Sequence, residues 1–175
     1  MASDFIKPEE VLSHLDIDAD FVIADFGCGA GGFTFPLAER AKNGLVYALD
    51  IQDSVLNNLK GQANGRKLHN IQFIRCNLEK YKGSTLQDDS ADLAVVSNVL
   101  FQAYNKSAVI SEGRRVLKKG GRLLVVDWQK NEGQTMVKNP PAPEEIKKIA
   151  NGFKLDLEKE FSAGNFHFAL IFIKR

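Results

Sequence analysis

The chain has 175 residues, 44% of them hydrophobic and 26% charged, the composition of an ordinary globular protein able to bury roughly 70% of its unfolded surface. A formal net charge of +1 excludes a protein whose main partner is bulk nucleic acid or an anionic membrane, because neither field is complemented overall. No charge-free run exceeds the thirteen residues of 93–105, too few to span a bilayer.

The opening residues, MASDFIKPEE, lack the basic and apolar stretches of a secretory leader. Pro8 starts a helix carrying Val11, Leu12 and Leu15 on one face, within an N-terminal helical segment 1–20. A first strand is expected at 21–26, followed by the glycine-rich run Gly27, Gly29, Gly31 and Gly32 and a helix with Phe33, Leu37 and Ala41 on one face. A second strand at 45–49 precedes a helix capped by Asp53 or Ser54 and striped by Val55, Leu56, Leu59 and Ala63. Strands at 71–75 and 93–97 follow, then a helix with Val109, Gly113, Val116 and Leu117 that Gly120-Gly121 should end. After a strand at 122–127, the polar connection 129–141 has the length of a lid or binding loop. Pro143, Glu144 and Glu145 open a last helix with Ile146, Ile149 and Ala150, which Asn151-Gly152 stops, and two strands at 154–157 and 166–173 close the chain.

Strands alternating with helices imply parallel βαβ units covered on both faces. The last two strands lie too close in sequence for a helical crossover and can only be antiparallel neighbours. The expected fold is therefore one α/β domain over 1–175, a doubly wound, mostly parallel sheet with a reversed strand near its C-terminal edge. The two cysteines, Cys28 and Cys76, have no metal or redox spacing, which points to no metal cofactor and a reducing cytoplasm.

The strand–turn–helix segment VIADFGCGAGGF, Val22 to Phe33, carries the chemistry. Glycines permit a tight turn and close ligand approach, and the helix start offers free N–H groups. Asp50 ends the second strand, 23 residues after Gly27, where a carboxylate can accept both hydroxyl protons of a ribose. The pair reads as a site for an adenosine-like ligand. In the segment 106–122, Lys106, Arg114, Arg115, Lys118, Lys119 and Arg122 stand against Glu112 alone; this reads first as a solvated helix face.

The order DFGCGAGGF, VYALDI, NLE at 77–79, DLAVVSNVLF and RRVLKKGGRLLVVDW resembles class I S-adenosylmethionine-dependent methyltransferases over nearly the whole chain. The likeness is greatest to the small-molecule group that includes ubiquinone/menaquinone and arsenite methyltransferases. The resemblance implies a seven-stranded sheet whose seventh strand is antiparallel, with S-adenosylmethionine as cofactor. It also implies that the Gly27–Gly29 backbone, with Cys28, faces the methionine part. Asp25 would help position the amino group, Asp50 hold the ribose and Ile51 pack on adenine, with Asn77 and Leu78 lining the base's other side and edge. Asn77 departs from the family's frequent Asp, and Lys119 stands where a Pro usually precedes the paired glycines.

Ligands of open α/β sheets sit beyond the carboxyl ends of the parallel strands. That puts Ser97-Asn98 and Asp127-Trp128 at the site edge, with Phe166 and His167 beside them. His167 is the candidate for a substrate-side base or orienting group, and Trp128 could stack on a flat acceptor. Asn139-Pro140-Pro141 is similar to the signature of amino-directed DNA methyltransferases but follows the wrong strand; Asn98-Val99-Leu100-Phe101 has the position without the prolines. The chain is thus expected to be a cytoplasmic methyltransferase, monomer or homodimer, acting on a small molecule and not on membranes. An RNA- or protein-directed enzyme, a nicotinamide-dependent oxidoreductase and a cofactor-binding partner without chemistry stay open beside it.

Overall fold

The structure is a computed structural model that describes residues 6–130 and 137–175. Its elements run α1 (Pro8–Leu12), β1 (Val22–Phe26), α2 (Thr34–Arg40), β2 (Leu45–Asp50), α3 (Asp53–Gly65), β3 (Ile71–Arg75) and β4 (Ala91–Ser97). They continue through α4 (Lys106–Val116), β5 (Leu117–Trp128), α5 (Pro143–Gly152), β6 (Leu155–Ser162) and β7 (His167–Lys174). All seven strands join one sheet in the order β3-β2-β1-β4-β5-β7-β6. Pairings among β1 to β5 are parallel, and β7 runs antiparallel to both β5 and β6.

Successive strand residues point to opposite faces, and here both faces are apolar, so the central strands read as continuous hydrophobic runs. Ile23, Val95 and Val126 face a core completed by Leu12, Leu37 and Leu59 of the first three helices. Their neighbours Ala24, Val96 and Val125 face a second core with Ile110 of α4 and Ile146 of α5. The chain thus changes face between β3 and β4. Strand order reverses between β1 and β4, and this reversal opens a crevice at the carboxyl ends of the strands.

Three local expectations are corrected. Neither Asp53 nor Ser54 caps α3: the helix begins at Asp53 after Gln52, with no side-chain cap, and Asp53 instead pairs with Arg75 at 2.7 Å. Gly120-Gly121 do not end α4, which stops at Val116 as Leu117 turns extended and enters β5 directly. Pairing of β4 with β5 shifts register between Ala91 and Leu93. Gly120, at φ 81, lies in the early part of β5. The sixth strand reaches Ser162 rather than stopping near 157, because this edge strand exposes Glu158, Lys159 and Glu160 and so carries no apolar signature.

Candidate functional site

The crevice has a volume of about 570 Å³ and is walled by the turns that follow β1, β2, β3 and β4. Asp25, Gly27, Cys28, Gly29, Asp50, Ile51, Asn77, Leu78 and Ser97, dispersed over 73 positions in the chain, all line it.

The turn after β1 is held from beneath by β2: the N–H groups of Gly27 and Cys28 both donate to the Leu49 carbonyl, at 2.8 and 3.0 Å. Glycine is required at Gly27, where φ is 71 and a Cβ would stand 2.4 Å from Cγ2 of Val99. Gly31, at φ 87, is pressed against Leu59 and Phe35, with 2.4 Å left for a Cβ. The turn is therefore clamped between the β4 loop on one side and α2 and α3 on the other.

Two carboxylates flank this turn with different surroundings. Asp25 is buried beneath it and accepts from Thr34 Oγ1 at 2.5 Å. Burial pushes its pKa up to about 7, against the pull of the Thr34 hydrogen bond and helped by the nearby Asp50 charge. Asp50 is half-exposed, and its two oxygens accept from Gly29 N–H at 3.2 Å and Gln52 N–H at 3.0 Å. It ties the glycine turn to Gln52, the residue that precedes α3. An ionised carboxylate has about four acceptor positions, so both oxygens keep capacity for ligand hydroxyls.

Beyond Asp50, Ile51 is 55% exposed although it lines the crevice, the surface a flat apolar ring would cover. Leu78 is buried opposite. The Asn77 side-chain oxygen accepts from Glu79 N–H at 3.0 Å, which bends the chain after β3. Burial raises the thiol pKa of Cys28 and of Cys76, the latter to about 12, so both stay protonated at neutral pH. These features fit an adenosine group with its base over β3, its sugar over β2 and its tail over β1 and β4.

At the β4 end the wall consists of Ser97, Asn98, Val99, Gln102 and Ala103. Asp127 is fully buried and does not line the crevice among the described residues; its oxygens accept from Leu100 N–H and Trp128 N–H, each at 2.8 Å. Burial pushes its pKa up to about 6 against these backbone bonds. It pins the β4 loop to β5. Trp128 pairs in register with His167, their ring centroids 4.0 Å apart, and Phe101 meets the indole edge-on at 6.5 Å. Neither Trp128 nor His167 lines the crevice among the described residues. His167 is 1% exposed, its ring nitrogens have no hydrogen-bond partner among the described residues, and burial lowers its pKa to about 4.

Val99, Gln102 and Ala103, to which sequence reasoning gave no ligand role, line the crevice, and so do Phe33 and Val55, which it read only as helix-face residues; which side chains reach the crevice is decided when the loops meet. The N-terminal segment contributes Ile6 and Pro8 to the crevice, whereas Val11, Leu12 and Leu15 are packed in the core. Of the connection 129–141, residues 131–136 lie outside the described residues. The basic segment is occupied by internal pairing: Arg115 with Glu112 and Asp88, Lys118 with Asp92, Arg122 with Glu158 and Lys106 with Glu145. Arg114 donates to the Phe153 carbonyl.

A family model described as a methyltransferase domain matches residues 17–163. The ubiquinone/menaquinone biosynthesis C-methyltransferase of Marinomonas sp. is 29% identical over 127 residues, covering 71% of this chain and 49% of that protein. The 23S rRNA (uracil(1939)-C(5))-methyltransferase of Aliivibrio fischeri is 33% identical over 72 residues, covering 41% of this chain and 16% of that protein. The chain thus spans half or less of the length of these curated relatives. Among solved structures, a SAM dependent methyltransferase from Aquifex aeolicus aligns at a TM-score of 0.82 with 21% identity, over 98% of this chain and 92% of that one. At that identity the likeness is one of fold.

Proposed function

The chain belongs to the methyltransferase-domain family as a class I S-adenosylmethionine-dependent methyltransferase, and from that premise we propose that it methylates a small molecule reaching the crevice from its β4 end. Membership replaces both the nicotinamide reading and the reading of a binding module without chemistry. The observation that carries a small acceptor over RNA is the state of the basic segment, whose cations are largely taken up by their own carboxylates. A phosphate backbone would have to compete with those pairs. The longer match to a quinone-biosynthesis enzyme than to an rRNA enzyme agrees with this.

In this reading Asp50 accepts the ribose hydroxyls, and the Gly27–Gly29 backbone with Cys28 and Ser97 accommodates the methionine part. Asp25 lies beneath the cationic tail, whose charge would favour its ionised form. Ile51, Asn77 and Leu78 enclose the base. When bound, S-adenosylmethionine supplies a sulfonium-activated methyl group, so the protein's main task is to hold the acceptor in line and exclude water. A protein base is needed only for an acceptor that holds its proton tightly. Trp128 and His167 pack against each other outside the crevice lining, and His167, buried and uncharged, serves that packing rather than moving a proton. We place the enzyme in the cytoplasm, as a single domain acting as monomer or homodimer; no helix among the described residues is long and apolar enough to cross a membrane.

The test is to incubate the enzyme with methyl-labelled S-adenosylmethionine and a cell extract, then separate products by ultrafiltration. Label in the small-molecule filtrate is the expected result. Label confined to RNA or protein, lost when Arg114, Arg115, Lys118 and Lys119 are reversed in charge, would replace it with a macromolecular acceptor.

A further inference from the structure

Asn77 lines the crevice beside Leu78, in the turn after β3, and the two terminal atoms of its amide are not equivalent. Oδ1 accepts from Glu79 N–H at 3.0 Å. A backbone N–H can only donate, so this contact fixes which terminal atom is the oxygen. Nδ2 is the atom left over. It has no partner among the described residues, and it is not sealed from solvent as Oδ1 of Asn98 is. The backbone around it is held on both sides. Cys76 N–H donates to the Asp50 carbonyl at 2.9 Å, and Lys80 N–H to the Asn77 carbonyl at 3.2 Å. Gly83 packs so closely on that same carbonyl that a Cβ has no room. A reversed amide would set its NH2 group against Glu79 N–H, donor against donor, and lose the bend.

Here the departure from the family's frequent aspartate acquires a consequence. An aspartate would keep one oxygen on Glu79 N–H and offer the other to the base as an acceptor. Adenine's edge has one group that can use such an acceptor, the 6-amino group, because its ring nitrogens only accept. The free terminal atom at 77 therefore faces the base's 6-position, and in this chain that atom is a donor. A 6-amino group meets it donor to donor, whereas the carbonyl of a 6-oxopurine accepts from it. We propose that Asn77 is a specificity-determining residue that relaxes base selection: its Nδ2 donates to the 6-position, and a 6-oxopurine nucleoside is accepted alongside adenine. This rests on the cofactor reading above and deepens it. Sites built to recognise a polar group discriminate through the partner left unpaired when that group is exchanged, and Asn77 leaves the 6-amino group in that state.

The test is calorimetric titration of S-adenosylhomocysteine and of S-inosylhomocysteine, its 6-oxopurine counterpart, into the wild type, Asn77→Asp and Asn77→Ser. The two nucleosides share sugar and tail, so the ratio of their dissociation constants isolates the base. Both substitutions keep an oxygen able to accept from Glu79 N–H, and melting curves check that each variant is folded. The wild type should bind S-inosylhomocysteine no more than about threefold more weakly than S-adenosylhomocysteine. Asn77→Asp should move the ratio toward adenine by about tenfold or more, and Asn77→Ser, which removes the donor without supplying a charged acceptor, by about threefold or more. A larger wild-type preference for adenine would overturn the proposal. So would ratios in the folded variants that move less than this or move the other way. Either failure leaves S-adenosylhomocysteine bound and the cofactor reading intact, whereas a wild type that binds neither nucleoside removes that reading and the proposal with it.

Discussion

Replacing Gly27 by alanine tests how the crevice is built. The backbone there has φ 71, and an added Cβ would lie 2.4 Å from Val99 Cγ2, where ordinary contact begins near 3.4 Å. A left-handed alanine costs about 1–2 kcal/mol, and overpacking of this kind adds about 1–3 kcal/mol, so the variant should lose about 2–5 kcal/mol. The two parts are separable, because only the second depends on Val99. Val99→Ala alone, at a half-buried position, should cost about 1 kcal/mol. In the double variant the clash disappears, so the two losses should sum to about 1–3 kcal/mol more than the double variant shows. Urea unfolding measures this as a shift in midpoint at constant slope. S-adenosylhomocysteine affinity should follow the same order, since a displaced turn pulls Gly29 N–H from Asp50. Additivity within about 0.5 kcal/mol would mean that Gly27 and Val99 do not touch, and the described clamp would be wrong.

Asp50→Ala removes both charge-assisted bonds of that carboxylate and the proposed ribose contact; cofactor-product affinity should fall by about 1.5–3 kcal/mol, and an unchanged dissociation constant in a titration would reject the ribose assignment. Asp25 titrates near 7 in the folded chain and near 3.8 unfolded, so the folded state binds the proton more tightly and this residue's contribution to stability rises as pH falls from about 7 to about 4. The full span is about 4 kcal/mol, and Asp25→Asn should abolish it in unfolding curves taken across that range; parallel pH profiles for the two proteins would show Asp25 ionised throughout. His167 runs the other way, since burial holds its folded pKa at about 4, below the ordinary histidine value of 6.5, so it withdraws stability as pH falls through that window. His167→Leu should therefore flatten its share and be neutral or stabilising by about 1 kcal/mol near neutral pH. A stable variant that has lost methyl transfer with unchanged product affinity would restore His167 as a base.

The periodicities were enough for the architecture because they report the environment of whole elements. Runs such as Ala94–Val96 and Leu123–Val126 are apolar at consecutive positions, which occurs only where both faces of a strand are covered. The strand boundary missed at β6 had the opposite cause: an edge strand with three exposed charged residues follows no burial pattern that a sequence can display. Capping was misassigned for a related reason. Asp53 has the right residue type beside α3, yet Arg75 of β3 captures its carboxylate, and that partner arrives only with the sheet.

The part of the crevice built by the turns after β1 and β2 was legible because backbone conformation and charge impose particular residue types: glycine at positive φ, and a carboxylate at the end of β2. The surroundings of β5 and β7 were not. His167 looked reactive in a string of letters, but pairing with Trp128 buries it behind an indole and holds it neutral. Asn98 could be placed at the site edge from the chain alone, and its orphaned oxygen could not, because a missing partner is a property of every surrounding atom at once. Local propensity and pattern therefore determine what lies in each strand and turn, while the meeting of loops from distant strands decides which side chains line the crevice and which are left buried with unspent hydrogen-bonding capacity.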